Sequence, residues 1–199
     1  MNLAIELQQR LAQADALIFD MDGTLVDTMP LHYRAWQQVA EHYRLPFSKP
    51  RFYQLGGVPT LETLQILSAE AGLDIDLQAA KAMKEGLSRS MLSEATPIVE
   101  ILSIVQQFYG HKPLAIATGS SRVGAQQLLK QLNLAHYFDA LVTADDVTEH
   151  KPAPDVFLEA ARRLNVAPQR CVAFEDTDIG IQAIVSAEMS AVDVRDLIK

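Results

Sequence analysis

The sequence predicts a three-layer α/β/α fold, with a Rossmann-like core built on a parallel β-sheet and a small inserted helical cap. Two observations predict the sheet: short apolar runs recur along the chain, and helical patterns lie between them. Such runs are too short for buried helices and are typical of strands covered on both faces. They occupy residues 16–19, 113–117, 140–143, 171–174 and 191–194.

The helical patterns between these runs give the sheet its direction. Phe157, Ala160, Ala161 and Leu164 are spaced as on one face of a helix, and a similar rhythm runs through residues 123–132. Strands that alternate with helices form a parallel sheet, and such sheets bind ligands beyond the carboxyl ends of their strands. Each apolar run except the last is followed by polar residues, so these polar clusters are expected at one crevice.

A third observation predicts the cap, because residues 29–96 contain no convincing strand. Apolar stripes indicate helices there, with Gly56-Gly57 and Pro59 marking a loop. A crossover of this length without a strand is unusual, which favours an insertion over helices that pack directly on the sheet. The predicted domains are a core of residues 1–28 and 97–199 and a helical cap of residues 29–96.

Composition excludes several classes of protein. The chain of 199 residues is 49% hydrophobic and carries a formal net charge of -8, which argues against binding to nucleic acid or anionic membranes. The single cysteine, Cys171, rules out an intramolecular disulfide and fits a reducing compartment. Apolar residues never run long enough to span a membrane, and the spacing of Leu3, Leu7 and Leu11 predicts a short amphipathic helix rather than a signal peptide. We expect a cytoplasmic monomer.

Two carboxylates follow the first apolar run. Asp20 and Asp22 are two residues apart in an extended segment and therefore point the same way, while Gly23 permits a tight turn. Neighbouring carboxylates repel each other, and a hard cation such as Mg²⁺ relieves that repulsion. A solvated turn remains the alternative on these residues alone.

Other ligand sites fit the sequence poorly. An EF-hand loop counted from Asp20 or from Asp176 lacks the required oxygen ligand and glycine at its fifth and sixth positions. Glycine-rich motifs for nucleotide triphosphates and dinucleotides are missing from the sequence, and the histidines lack zinc-like spacing.

Four motifs give a specific resemblance over nearly the whole chain. In order, they are DMDGTLVDT at 20–28, ATGSS at 117–121, HKPAPD at 150–155 and FEDTDIGIQA at 174–183. With these motifs the chain resembles a phosphatase of the haloacid dehalogenase superfamily. The helical insertion after the first motif resembles the cap of the β-phosphoglucomutase-like group. Asp178 and the ending AVDVR at 191–195 are most similar to the fructose-1-phosphate phosphatase-like branch.

The resemblance implies catalytic roles. Asp20 is expected to be the nucleophile that forms an aspartyl phosphate, and Asp22 the general acid and then base. Thr118 and Lys151 are expected to stabilise the phosphate, with Gly119 and Ser120 contacting substrate. The implied metal is Mg²⁺, and its expected ligands are the carboxylates of Asp20 and Asp176, the backbone carbonyl of Asp22, and Glu175 directly or indirectly.

In the cap, the resemblance implies substrate contacts at His32, Gly57, Thr60 and Lys84. The mutase pattern has an arginine where Thr60 stands, which grips the second phosphate of a bisphosphate intermediate. Its absence favours water as the final phosphate acceptor. We therefore predict hydrolysis of a small sugar phosphate or sugar-acid phosphate, of the fructose 1-phosphate or 6-phosphogluconate type. The alternative is a β-phosphoglucomutase that interconverts β-glucose 1-phosphate and glucose 6-phosphate.

Overall fold

The computed structural model describes residues 3–198, which form helices on both faces of a central sheet. The helices are α1 (Leu3–Gln13), α2 (Met29–Tyr43), α3 (Lys49–Gln54), α4 (Thr60–Ala71), α5 (Leu77–Ser90), α6 (Val99–Phe108), α7 (Arg122–Gln131), α8 (Asp155–Leu164) and α9 (Asp178–Ser186). The strands are β1 (Ala16–Phe19), β2 (Val26–Asp27), β3 (Thr96–Pro97), β4 (Leu114–Ala117), β5 (Ala140–Val142), β6 (Cys171–Glu175) and β7 (Ser190–Asp193).

The main sheet is parallel and has five strands in the order β5-β4-β1-β6-β7. Its strands coincide with the five apolar runs, so the predicted fold class is confirmed. The bounds of the strands differ from those of the apolar runs by about one residue. Pro113, for example, lies outside β4 and has no N–H for a ladder, although its carbonyl accepts a hydrogen bond from the Leu17 N–H at 3.1 Å.

Side chains of the sheet alternate between two hydrophobic layers. Leu17 and Phe19 of β1 pack in the layer formed with α1, α6 and α7. Ala16 and Ile18 pack in the opposite layer with α8 and α9, where Phe157 is fully buried. This period of two, with helices on each face, explains why the strands read as continuous apolar runs.

Helices α2 to α5 have a hydrophobic cluster of their own. Trp36 and Val39 of α2 pack with Leu64 and Leu67 of α4 and with Ala80 of α5. The chain passes into and out of this helical region through one antiparallel pair, β2 and β3, in which Val26 faces Pro97. The expectation of no strand up to residue 96 was therefore wrong at its last residue, because Thr96 lies in β3.

Three helices carried no prediction from the sequence: α3, α6 and α9. α6 is an ordinary amphipathic helix, with Ile101, Ile104, Val105 and Phe108 buried against the sheet. The predicted N-terminal helix is present as α1, where Leu7 and Leu11 are buried; the side chain of Leu3 lies outside the described residues. None of the helices in the described part of the chain is long and apolar enough to cross a membrane.

Candidate active site

A buried lysine joins two neighbouring strands of the sheet. Asp20 directly follows β1, Glu175 is the last residue of β6, and β1 pairs with β6. The Nζ of Lys151, from the segment between β5 and α8, donates to Asp20 Oδ1 at 2.6 Å and to Glu175 Oε2 at 2.7 Å. All three side chains are buried, so these are charge-assisted hydrogen bonds in a region of low dielectric.

The carboxylates and the lysine shift one another's proton affinity. Burial and the charges of Glu175, Asp176 and Asp22 raise the pKa of Asp20 well above its usual range, although Lys151 opposes the rise. Burial disfavours the Lys151 ammonium, but Asp20 and Glu175 outweigh that cost and raise the pKa of Lys151. The lysine is therefore charged at any physiological pH.

A carboxylate cluster next to Lys151 could hold a cation. Oxygens of Asp20, Glu175 and Asp176 lie within 4.8 Å of one another. Burial and the charge of Glu175 raise the pKa of Asp176 to about 7, which marks uncompensated negative charge. Asp176 Oδ1 accepts a hydrogen bond from the Thr24 hydroxyl at 3.0 Å, and Asp20 Oδ1 accepts one from Lys151. The second oxygen of each carboxylate has no hydrogen-bond donor among the described residues.

Glu175 has a different role in this cluster. Its Oε1 accepts hydrogen bonds from the N–H groups of Asp176 and Thr177 and from the Thr177 hydroxyl, while its Oε2 accepts the bond from Lys151. Both oxygens are thus engaged by the protein. Glu175 orients the loop that carries Asp176, and Asp20 and Asp176 retain the oxygens suited to a hard cation such as Mg²⁺.

The Asp22 carboxylate points to a different set of donors. Oδ1 accepts from the Thr28 hydroxyl at 2.7 Å and contacts His32 Nε2 at 3.0 Å, while Oδ2 accepts from the Ser120 hydroxyl at 2.6 Å. Burial opposes its charge, but His32, Ser120 and Thr28 together lower the pKa of Asp22 below its ordinary value. The Asp22 carboxylate is consequently held between His32 of α2 and the segment after β4, where the Thr118 hydroxyl also donates to Oδ2 at 3.4 Å.

A relay of polar groups continues from Asp22 into α2 and α5. His32 Nδ1 lies 3.3 Å from Ser88 Oγ and 3.4 Å from Lys84 Nζ. Burial and the charge of Lys84 lower the pKa of His32, so the imidazole is neutral at pH 7. With its proton on Nε2, the ring donates to Asp22 and accepts at Nδ1.

The segment after β4 forms a second wall of the site. The Ser120 N–H donates to Thr118 Oγ1 at 3.0 Å, and Ser121 caps the N-terminus of α7 by accepting from the Gly124 N–H. A Cβ added at Gly119 would lie 2.9 Å from the Gly57 carbonyl oxygen. The absence of a side chain at Gly119 therefore allows the loop before α4 to approach this segment closely.

One cavity of about 290 Å³ collects these groups. Its volume lies close to the lower limit of about 300 Å³ for small-molecule sites. The lining includes most of the predicted site residues: Asp20, Asp22, His32, Gly57, Thr60, Lys84, Thr118, Gly119, Ser120 and Glu175. Lys151 and Asp176 are not among the lining residues, but Lys151 contacts Asp20 and Asp176 belongs to the carboxylate cluster.

The sequence profile of the haloacid dehalogenase-like hydrolases matches residues 17–194. This chain belongs to that family. It is 45% identical to fructose-1-phosphate phosphatase YqaB of Escherichia coli strain K12 over 90% of this chain and 95% of that protein. It is 33% identical to β-phosphoglucomutase of Bacillus subtilis strain 168 over 90% of this chain and 82% of that protein.

The fold is also similar to that of a β-phosphoglucomutase. A crystal structure of β-phosphoglucomutase from Clostridium difficile superposes with a TM-score of 0.84 at 27% identity, covering 92% of this chain and 87% of that chain. The prediction that this chain is a haloacid dehalogenase-like hydrolase of the β-phosphoglucomutase-like group is thus confirmed.

The haloacid dehalogenase motifs did not predict several polar side chains that hydrogen-bond to residues of the site. Thr24 and Thr28 lie inside the first motif but carried no predicted role, although both are buried and hydrogen-bond to carboxylates of the site. Ser88 follows Lys84 by one helical turn on α5, and that spacing was the available signal that both reach His32.

Proposed function

We propose that this chain is a magnesium-dependent phosphatase that hydrolyses a small sugar phosphate or sugar-acid phosphate. The observation that carries the proposal is the buried contact of 2.6 Å between Lys151 and Asp20 beside a cavity sized for a small molecule. A carboxylate held by a cation at the edge of such a cavity is suited to nucleophilic attack on a phosphate dianion. The names of the relatives support the same class of reaction.

In the proposed reaction, an oxygen of Asp20 attacks phosphorus, and the bond from phosphorus to the sugar oxygen breaks. The product is an aspartyl phosphate. Because its neighbours hold the pKa of Asp22 below its ordinary value, Asp22 must first take up a proton from solvent. It then gives that proton to the leaving sugar oxygen, takes one from water as that water attacks phosphorus, and returns it to solvent at the end of the cycle. The second step releases inorganic phosphate and restores the Asp20 carboxylate, so the enzyme returns to its starting state.

Magnesium would be held by Asp20 and Asp176, which keep carboxylate oxygens without protein donors among the described residues. The family pattern adds the backbone carbonyl of Asp22, and Glu175 supports the set indirectly by orienting the Asp176 loop. When bound, Mg²⁺ neutralises charge on the transferring phosphoryl group.

The remaining donors are suited to the phosphate oxygens. Lys151 supplies a buried positive charge, and Thr118 lines the cavity with its hydroxyl 3.4 Å from Asp22 Oδ2. At the start of α7 the N–H groups of Arg122 and Gly124 are bonded to Asp145 and Ser121, and the positive end of the helix dipole there favours an anion. Gly119 allows a phosphate to approach the backbone closely. Together these groups balance the negative charges of Asp20, Glu175 and the substrate.

We further propose that residues 29–96 act as a cap that covers the substrate during attack. The proposal is supported by the separate hydrophobic cluster of α2 to α5, the β2–β3 pair at its base, and the close approach of Gly57 to Gly119. Exclusion of bulk water strengthens every charge interaction in the site. His32, which reaches the Asp22 side chain from the cap, and Lys84, which contacts His32, would couple closure of the cap to proton transfer.

The mutase alternative is favoured by the likeness to β-phosphoglucomutases, but Thr60 argues against it. Position 60 lines the cavity and carries a hydroxyl where the mutase pattern has an arginine for the second phosphate. A coupled dehydrogenase assay with β-glucose 1-phosphate and a bisphosphate primer should give no glucose 6-phosphate. Formation of that product at a rate comparable to phosphate release would favour the mutase.

The phosphatase is tested by measuring inorganic phosphate released from phosphorylated sugars and sugar acids in the presence of Mg²⁺. Asp20→Asn should lose at least about 1000-fold in kcat and keep its fold, because the amide is a poor nucleophile. Asp27→Asn is the matched control, since Asp27 lies in the same motif but is exposed on β2. Turnover retained by Asp20→Asn, or none by the unaltered enzyme on any substrate, would overturn the proposal.

A further inference from the structure

The hydroxyl of Ser88 on α5 is directed out of its own helix. Serines inside helices commonly donate to a backbone carbonyl of the preceding turn, and Ser68, Ser90 and Ser103 do so at 3.1, 2.7 and 2.7 Å. Ser88 instead makes its one side-chain hydrogen bond among the described residues with Nδ1 of His32 on α2, at 3.3 Å. Ser88 is buried, and alanine would favour the helix at its position. The contact with His32 is therefore what this hydroxyl contributes.

The groups around His32 Nδ1 fix the tautomer of the imidazole. The ammonium of Lys84 lies 3.4 Å from this nitrogen, and an ammonium can only donate. Nδ1 must therefore accept, which places the ring proton on Nε2, 3.0 Å from Asp22 Oδ1. The Ser88 hydroxyl also donates to Nδ1 in this arrangement. Since a neutral imidazole nitrogen has a single lone pair, Ser88 and Lys84 are alternative donors to it.

Of these two donors, Ser88 has the more fixed position. Its hydroxyl turns about a single carbon–carbon bond on a buried part of α5, whereas the Lys84 ammonium ends a flexible four-carbon stem. Lys84 also lines the cavity and carries three N–H donors, so it can turn towards an oxygen of the substrate. When Lys84 does so, Ser88 still holds Nδ1 of His32 and keeps Nε2 directed at Asp22.

The direction of the imidazole determines which oxygen of Asp22 can deliver a proton. Oδ1 accepts from His32 Nε2 and from the Thr28 hydroxyl, so two donors already occupy it. An acid proton on Asp22 is therefore favoured on Oδ2, which contacts Ser120 of the cavity wall. The Ser120 hydroxyl can accept as well as donate, so it tolerates that proton. If the imidazole turned away from Oδ1, this distinction between the two oxygens would weaken.

We propose that Ser88 is a positioning residue, which holds the His32 imidazole against Asp22 Oδ1 and so keeps the acid proton of Asp22 on Oδ2. This inference rests on the proposed phosphatase function. Ser88 contributes most where the leaving oxygen needs a proton, as a sugar alkoxide does, and least where the leaving group is already a stable anion. It contributes nothing in a variant whose residue 32 cannot donate to Asp22.

Two classes of substrate separate this role from a structural one. The first is the phosphorylated sugar or sugar acid that the unaltered enzyme hydrolyses fastest, starting with fructose 1-phosphate and 6-phosphogluconate. The second is p-nitrophenyl phosphate or the smaller acetyl phosphate, whose leaving groups depart as stable anions without a proton. The measured quantity is kcat/KM in the presence of Mg²⁺. It reports the steps up to departure of the leaving group and excludes the later hydrolysis of the aspartyl phosphate.

Ser88→Ala should lower kcat/KM for the sugar phosphate by about 5- to 10-fold, which is the size expected for one hydrogen bond. The change for p-nitrophenyl phosphate or acetyl phosphate should stay below about twofold. Ser90→Ala is the matched control, because Ser90 lies on the same helix, is exposed and donates to the Leu87 carbonyl. It should leave both values unchanged. Thermal unfolding should show that both variants keep the fold.

Ser88 itself lines the cavity, so a double-mutant cycle with His32→Phe separates positioning from direct contact with the sugar. Phenylalanine keeps a ring at position 32 and removes both nitrogens. If Ser88 acts through the imidazole, adding Ser88→Ala to His32→Phe should change kcat/KM for the sugar phosphate by less than about twofold. A further loss of about 5- to 10-fold would mean that Ser88 binds the sugar itself.

Three results would overturn the positioning role. They are an unchanged kcat/KM for the sugar phosphate in Ser88→Ala, an equal loss for both classes of substrate, and a further loss in the His32→Phe background. Each of them leaves the phosphatase itself intact, because phosphate is still released. If the unaltered enzyme releases phosphate from none of the sugar or sugar-acid phosphates, the proposed function fails and the inference fails with it.

Discussion

The Nζ of Lys151 lies 2.6 Å from Oδ1 of Asp20, and both side chains are buried at the carboxyl end of the central strand. Without this ammonium, Asp20, Glu175 and Asp176 would place three carboxylates in one poorly solvated cluster. Replacing one partner of a buried ion pair leaves an uncompensated charge, which costs more than the loss of a surface pair. Lys151 therefore links the stability of the site to its reactivity.

We predict that Lys151→Met loses at least about 100-fold in kcat and is destabilised by about 3 kcal/mol relative to the unaltered chain. Methionine keeps much of the buried volume of lysine and removes its charge, so the loss reports electrostatics rather than a cavity. The measurements are phosphate release in the presence of Mg²⁺ and the midpoint of thermal unfolding.

Lys130→Met is the matched control for this prediction. Lys130 is exposed on α7, and both measurements should change little. A Lys151→Met variant within fivefold of the unaltered enzyme in kcat would contradict the role given to the buried ammonium.

The carboxylate cluster predicts a pH-dependent response to Mg²⁺. The pKa of Asp176 is raised to about 7 by burial and by Glu175, above its ordinary value near 4. In the metal-free protein, the stability due to this raised pKa is fully present at low pH and is lost as pH rises through about 7. A cation can replace the proton, so Mg²⁺ should stabilise the protein more as pH rises.

The test compares Tm with Mg²⁺ and with a chelator at pH 6 and pH 8. The increase in Tm caused by Mg²⁺ should be larger at pH 8 by several degrees, roughly 5 °C. Asp176→Asn removes one of the two carboxyl groups whose pKa the cluster raises, and should reduce both the increase and its dependence on pH. An increase that is equal at the two pH values, or larger at pH 6, would exclude this competition between proton and metal.

Much of the core could be predicted from sequence because its signals are local. Each strand of the parallel sheet is a short apolar run, and the polar residue after it lies at the same edge as its neighbours, which brings Asp20, Thr118 and Glu175 together. Parallel pairing fixes that convergence once the order of elements is known. Lys151 does not directly follow a strand, and its place beside Asp20 was predicted from the order of the four motifs.

The rest depended on tertiary contacts that no local pattern encodes. The β2–β3 pair joins residues about seventy positions apart, and only two residues in each strand take part. Thr28 and Ser88 acquire their roles because Asp22 and His32 come within hydrogen-bonding distance of them after folding. Glu175 accepts hydrogen bonds both from Lys151 and from backbone N–H groups of the Asp176 loop. Its place in the motif did not predict this, because the bonds depend on which N–H groups lie near its carboxylate after folding.

Gly180 gives the last prediction, because local and tertiary effects have opposite signs there. Gly180 lies in the first turn of α9, where alanine would normally favour the helix. A Cβ at this position would overlap the carboxylate end of Glu175 and force it away from Lys151 and from the Asp176 loop. We therefore expect Gly180→Ala to be destabilised by about 2 kcal/mol or more and to lose most of its activity.

Gly86→Ala provides the matched comparison. Gly86 lies inside α5, and a Cβ there would have no neighbour within 4 Å. That substitution should raise stability by about 0.5–1 kcal/mol, which corresponds to an increase in Tm of about 1–4 °C. The two alanine variants should therefore move Tm in opposite directions and differ widely in phosphate release. A Gly180→Ala protein as stable and active as Gly86→Ala would show that Glu175 can move without cost, and that its contacts with Lys151 and the Asp176 loop do not organise the site.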